Sequence, residues 1–130
     1  MTAPAPTTAI EDIVDTHLKA YCEPDPSRRV ELLTRTWSPG GQLLDPPFDG
    51  TGIEGISAMV DILLDHYPDH HFQRTTGIDA HHDSARYGWS LVSPHGEAAV
   101  TGTDIVDLDG DGKIRRILGF FGDQPAEPTT

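Results

Sequence analysis

Residues 97–121, EAAVTGTDIVDLDGDGKIRRILGFF, are two β-strands joined by a polar turn. In the first strand Ala98, Val100, Gly102, Asp104, Val106 and Leu108 share one face, while Thr101, Thr103, Ile105 and Asp107 share the other. Asp109-Gly110-Asp111-Gly112 supplies the turn, and a second strand follows over 113–121. The pattern extends upstream. Strands are expected near 70–80 and 84–93, broken at His82-Asp83 and at Ser93-Pro94-His95-Gly96. Connections this short join antiparallel neighbours.

Before residue 70 the period changes to that of helices. Ile10, Ile13, Val14, Leu18 and Tyr21 make 9–22 an amphipathic helix, with His17 on the same stripe. Asp25-Pro26 caps a second helix that turns Val30, Leu33 and Trp37 inward and stops before Pro39-Gly40-Gly41. A short strand over 42–45 ends against Pro46-Pro47. A third helix, about 52–67, lines up Ile53, Ile56, Val60, Leu63, Leu64 and Tyr67 and ends at Pro68. Helices first and an antiparallel meander afterwards is the α+β order, and three helices are the only cover for the sheet's apolar face. One domain over 9–122 is expected, with loose Pro- and Thr-rich tails at 1–8 and 123–130.

The 130 residues suffice for one modest core. Acidic residues number 21 against 9 basic, a formal net charge of −12, which argues against nucleic acid or an anionic membrane as partner. A single cysteine, Cys22, permits no internal disulfide and fits a reducing cytoplasm. No apolar run approaches a membrane span.

Three polar residues break the apolar pattern from inside. Alternation puts Asp104 on the buried face, where a carboxylate is costly unless paired, hydrogen-bonded or protonated. A bulge turning it outward, a satisfied structural carboxylate and a functional acid all remain open. His17 raises the same question, and a lone histidine on an apolar stripe is more often a core residue bonded to a carbonyl. Asp45 ends a strand before two prolines, where a turn or cap aspartate is common.

An ordered set of residues gives the chain a family likeness. Trp37 stands eight residues before Asp45-Pro46; Gly52 and Ile53 open a helix ending at Tyr67-Pro68; Arg86 and Trp89 share a strand. Gly102-Thr103-Asp104, Asp109-Gly110-Asp111-Gly112-Lys113-Ile114 and Gly119-Phe120-Phe121 follow. In this the chain resembles the nuclear-transport-factor-two-like superfamily, including SnoaL-like polyketide cyclases and, more closely, ketosteroid isomerase. The resemblance implies a cystatin-like, cone-shaped half-barrel: three N-terminal helices on a curved, mainly antiparallel sheet, often a homodimer, with a deep pocket between the layers. It also implies a proton-shuttling role for Asp45 and a protonated, hydrogen-bond-donating role for Asp104. His17 appears where that enzyme has an oxyanion-binding tyrosine, and the second helix is longer here. Limonene-epoxide hydrolase is a weaker likeness, because one of its paired carboxylates would fall at Gly119.

The expected activity is proton transfer on a small apolar carbonyl compound, steroid- or polyketide-like, in an isomerase, cyclase or dehydratase reaction. Asp45 would be the base, with Asp104 and His17 donating to the developing enolate oxygen. Trp37, Phe48, Met59, Leu63, Phe72, Trp89 and Phe120 would supply the walls. Neither a metal nor another cofactor is required by such chemistry. The rival is a non-catalytic module holding an apolar ligand or a protein in the same cavity. Asp107, Asp109, Asp111 and Gly112 imitate a calcium loop, but its twelfth position is Leu118, so a hairpin turn is expected. Neighbouring histidines such as His81-His82 should point to opposite faces of a strand, which weighs against a metal site.

Overall fold

The computed structural model describes residues 9–126. The tail expected at 1–8 lies outside the described residues, as do 127–130 of the tail expected at 123–130; its residues 123–126 are exposed chain without regular structure. Three helices are present: α1 (Ala9–Ala20), α2 (Pro26–Thr36) and α3 (Gly52–His66). Seven strands accompany them: β1 (Trp37–Leu44), β2 (Gly50–Thr51), β3 (His71–Arg74), β4 (Asp79–His81), β5 (Ser84–Val92), β6 (Ala98–Leu108) and β7 (Ile114–Phe121). They form one curved sheet in the order β2-β1-β7-β6-β5-β3, with β4 also on β5. All pairs are antiparallel except β1 with β7, which is parallel. The result is the α+β cone-shaped half-barrel. None of its helices is long and apolar enough to cross a membrane, among the described residues.

Local chemistry explains most boundaries. The Asp25 carboxylate accepts the Ser27 N–H at 3.0 Å, and Pro26 opens α2. Pro68 follows directly after Tyr67, whose N–H closes α3 on Leu63 O. Three boundaries differ from expectation. The strand expected at 42–45 begins at Trp37 and runs through Pro39-Gly40-Gly41, because a register shift against β7 absorbs those residues. The strand expected over 70–80 is two strands. Thr75 and Thr76 cross Gly88, and the Thr76 hydroxyl accepts the Gly88 N–H at 2.8 Å in place of a ladder partner. The short β2 was not anticipated.

The inward face of α2 also differs. Arg29, Leu32, Leu33 and Thr36 are buried, whereas Val30 is exposed. These four follow helical spacing, but a charged residue heads the stripe. Arg29 is completely buried because its donors are met: Glu23 O at 2.9 Å, Ser57 O at 2.9 Å and Asp61 Oδ1 at 2.9 Å. It clamps α2 to α3. Val14, Leu33, Ile56, Val60, Val106 and Ile117 form the centre of the core, fully buried between helices and sheet.

The Asp107–Gly112 segment is a hairpin turn. Asp109 accepts the N–H groups of Asp111 (2.8 Å) and Lys113 (3.0 Å) and also bonds the Ser38 hydroxyl, while Asp107 pairs with Arg116. Gly112 takes a φ of +81°, which the turn requires. The expectation for His81-His82 needs correction. His82 has a φ of +53°, leaving the strand conformation, so the two rings meet with Nδ1 atoms 3.1 Å apart. Among the described residues, no three metal-ligating side chains come together.

Candidate active site

A cavity of about 490 Å³ opens between the concave sheet face and α3, within the range of small-molecule sites. Phe48, Met59, Leu63, Phe72 and Trp89, five of the expected wall residues, line it. Two expected walls do not. Trp37 is buried in the core, with its indole turned to His17. Phe120 faces the opposite side of β7 and is 58% exposed; Phe121 lines the cavity instead. Both phases of β7 are apolar, so alternation there does not single out one face.

Cross-strand register assembles the polar end. Asp104 lies opposite Tyr87 on β5 and opposite Gly119 on β7, so all three share the concave face. Asp45, at the end of β1, sits directly over Gly119: a Cβ there would come within 2.5 Å of Asp45 Cγ. Asp45 and Asp104 are thus neighbours across Gly119, close enough for the Asp45 charge to act on the Asp104 carboxyl.

The two carboxyls have different surroundings. Asp104 is buried, and both its oxygens are engaged: Tyr87 Oη–H donates to Oδ2 at 2.9 Å, and Trp89 Nε1–H to Oδ1 at 2.9 Å. Burial outweighs these two bonds and, with the Asp45 charge, raises its pKa to about 7. Asp45 lines the cavity, and its Oδ1 is buried with no hydrogen-bond partner among the described residues. Burial, then the Asp49 charge, raises its pKa to about 6. Asp49 also accepts the Asp45 N–H at 2.9 Å, which fixes the loop. Asp104 itself is not among the groups that line the cavity; it stands behind Trp89.

His17 is likewise outside the lining. Its Nδ1 accepts the Trp37 indole N–H at 3.0 Å, so the neutral ring carries its proton on Nε2. Burial lowers its pKa to about 3, keeping the ring neutral. One helical turn further on, Tyr21 reaches the cavity, its ring edge-on to His17 at 4.2 Å. The Tyr21 hydroxyl is buried and has no partner among the described residues, and burial, then the charges of Asp104 and Asp45, hold it firmly protonated. Sequence reasoning placed Tyr21 on the apolar stripe and missed this. Its position four residues after His17 was the available signal, since both lie on one helix face. The site can therefore supply a carboxylate poised near neutrality beside a phenolic hydrogen-bond donor, at the buried end of an apolar cavity.

No family model matches the sequence, and no curated protein is significantly similar to it. Solved structures are similar. A candidate isomerase of the SnoaL-like family from Agrobacterium tumefaciens is 33% identical, covers 86% of this chain and 96% of its own, and superposes with a TM-score of 0.81. A cystatin-like protein of unknown function from Methylobium petroleophilum is 19% identical over 93% of this chain and 80% of its own, with a TM-score of 0.70. A protein with a ketosteroid isomerase-like fold from Catenulispora acidiphila is 16% identical over 84% of both chains, with a TM-score of 0.66. The latter two share the fold, whereas the likeness to the first extends to sequence over nearly its whole length: the chain belongs to the SnoaL-like family.

Proposed function

We propose that the chain is an enzyme that moves a proton on a small apolar carbonyl compound, in a reaction of isomerase, cyclase or dehydratase type. The observation that carries this reading is the pair Asp45 and Tyr21. Both line the cavity, both are buried, and each has an oxygen without a partner among the described residues. A carboxyl group with a pKa of about 6 is matched to proton abstraction near neutral pH. Asp45 takes the proton from carbon next to the carbonyl, the C–H electrons become the enolate double bond, and charge moves to oxygen. Tyr21 donates a hydrogen bond to that oxygen. The proton returns from Asp45 to another carbon, or the enolate carbon attacks a second carbonyl of the same molecule, whose C=O π bond opens and whose oxygen takes the proton from Asp45. Asp104 acts from behind. Kept neutral, it does not repel the ionised Asp45.

The apolar walls favour a steroid- or polyketide-like substrate. The test is deuterium exchange into a panel of apolar ketones and enones, followed by NMR. Wild type should catalyse exchange, Asp45→Asn should lose it by roughly 100-fold or more, and Tyr21→Phe should lose it by roughly 100-fold. Equal exchange by wild type and Asp45→Asn would sink the reading. One observation favours the non-catalytic alternative: both oxygens of Asp104 are engaged within the protein, as in a structural carboxylate. Tight binding of an apolar panel member with no exchange would support that module.

A further inference from the structure

The cavity is polarised along its depth. Tyr21, Asp45 and Trp89 at its inner end are buried, while Pro47, Ile62, His66 and Phe121 at its outer end are exposed. Among these exposed groups His66 is the sole polar side chain, and beside it only the half-buried Tyr67 adds a polar atom to this part of the lining. Its Nδ1 lies 2.9 Å from Ile62 O, one helical turn back on α3. A carbonyl only accepts, so Nδ1 donates and the neutral ring presents Nε2 as an acceptor. That bond also orients the ring. The Phe48 ring meets His66 edge-on at 6.2 Å, and the Phe48 N–H is bonded to Asp45 O at 2.7 Å. One aromatic wall thus connects the acid at depth with the acceptor at the mouth. Tyr67, the next residue, has its ring edge-on to His70 at 5.4 Å.

We propose that His66 is a specificity-determining residue whose Nε2 accepts a hydrogen bond from a hydroxyl on the ligand, at the end remote from the carbonyl. The ligand class is then an apolar skeleton with a carbonyl at one end and a hydroxyl at the other. The orientation rests on the function proposed above, with the carbonyl seated at Asp45 and Tyr21. The role of His66 is one of binding, so it is separable from turnover.

The probes are a bicyclic saturated ketone, which proton abstraction and return leave unchanged, and its analogue bearing a hydroxyl on the ring remote from the carbonyl. Kd is measured by titration calorimetry, with a thermal melt of each variant as the check on folding. Wild type should bind the hydroxylated probe roughly three- to tenfold more tightly, the range of one net hydrogen bond. That ratio should fall to about one in His66→Leu, return in part in His66→Gln, whose amide oxygen accepts, and persist in Tyr67→Phe. It should also persist in Asp45→Asn, where turnover is lost. A ratio unchanged in His66→Leu, a ratio lost in Tyr67→Phe instead, or no binding of either probe overturns the proposal. Exchange that survives Asp45→Asn defeats the catalytic reading and leaves the His66 ratio to be judged on binding alone.

Discussion

Asp45 rests on Gly119: the carboxyl group occupies the space that a side chain on β7 would fill, with Cγ 2.5 Å from an ideal Cβ. Gly119→Ala should therefore push Asp45 out of line with Tyr21. Its φ is not in the left-handed region, so the backbone tolerates alanine and the effect should be steric. Exchange activity should fall roughly 10- to 100-fold, the scale of a 1 Å misplacement, while the fold persists. Unchanged exchange kinetics, alongside an unchanged melt, would show that the carboxyl has room to spare.

Stability should fall as pH rises from about 4 to 6. In the native state Asp45 and Asp104 keep their protons up to about pH 6 and 7, whereas in the unfolded chain they release them near 3.8. His17 works in the opposite direction, titrating at about 3 when folded and 6.5 when unfolded. Across this window the native state binds two extra protons and lacks one, a net excess of one, so acid favours folding. Asp104→Asn removes one of the two and should flatten the profile. Melting temperatures at half-unit pH steps check this; a wild-type Tm that climbs between pH 4 and 6 contradicts it.

The pH–rate profile for exchange should be bell-shaped. The acid limb near pH 6 reports ionisation of Asp45 and the basic limb near 7 the loss of the proton on Asp104. Because the two interact, these apparent values belong to the pair. Tyr87 donates to Asp104 and thereby favours its ionised form. Tyr87→Phe should move the basic limb to higher pH. A basic limb that stays in place, with folding intact, would separate Asp104 from the reaction.

Arg29 carries its charge at zero exposure and binds Glu23 O, Ser57 O and Asp61. Arg29→Met keeps much of the volume but removes the donor to Glu23 O and the extra donor to Ser57 O. A loss of about 2–4 kcal/mol is expected in urea denaturation, with the cavity residues unaltered. A change below about 1 kcal/mol would mean that water replaces the guanidinium.

The order of elements was legible in the sequence because it is written in local chemistry. Asp25-Pro26 starts α2, Pro68 follows the end of α3, and strict alternation in β6 places Asp104 on the concave face. The polar turn at Asp109–Gly112 reads the same way. What lies behind what was decided only by packing. A helix turns about 100° per residue, so choosing Arg29 over Val30 as an inward residue depends on acceptors 28 and 32 positions away, at Ser57 and Asp61. Whether Phe120 or Phe121 lines the cavity depends on the register of β7 against β6, since both faces of that strand are apolar. On α1, His17 and Tyr21 share one stripe. The indole of Trp37, arriving from β1, takes the histidine for the core and leaves Tyr21 at the cavity.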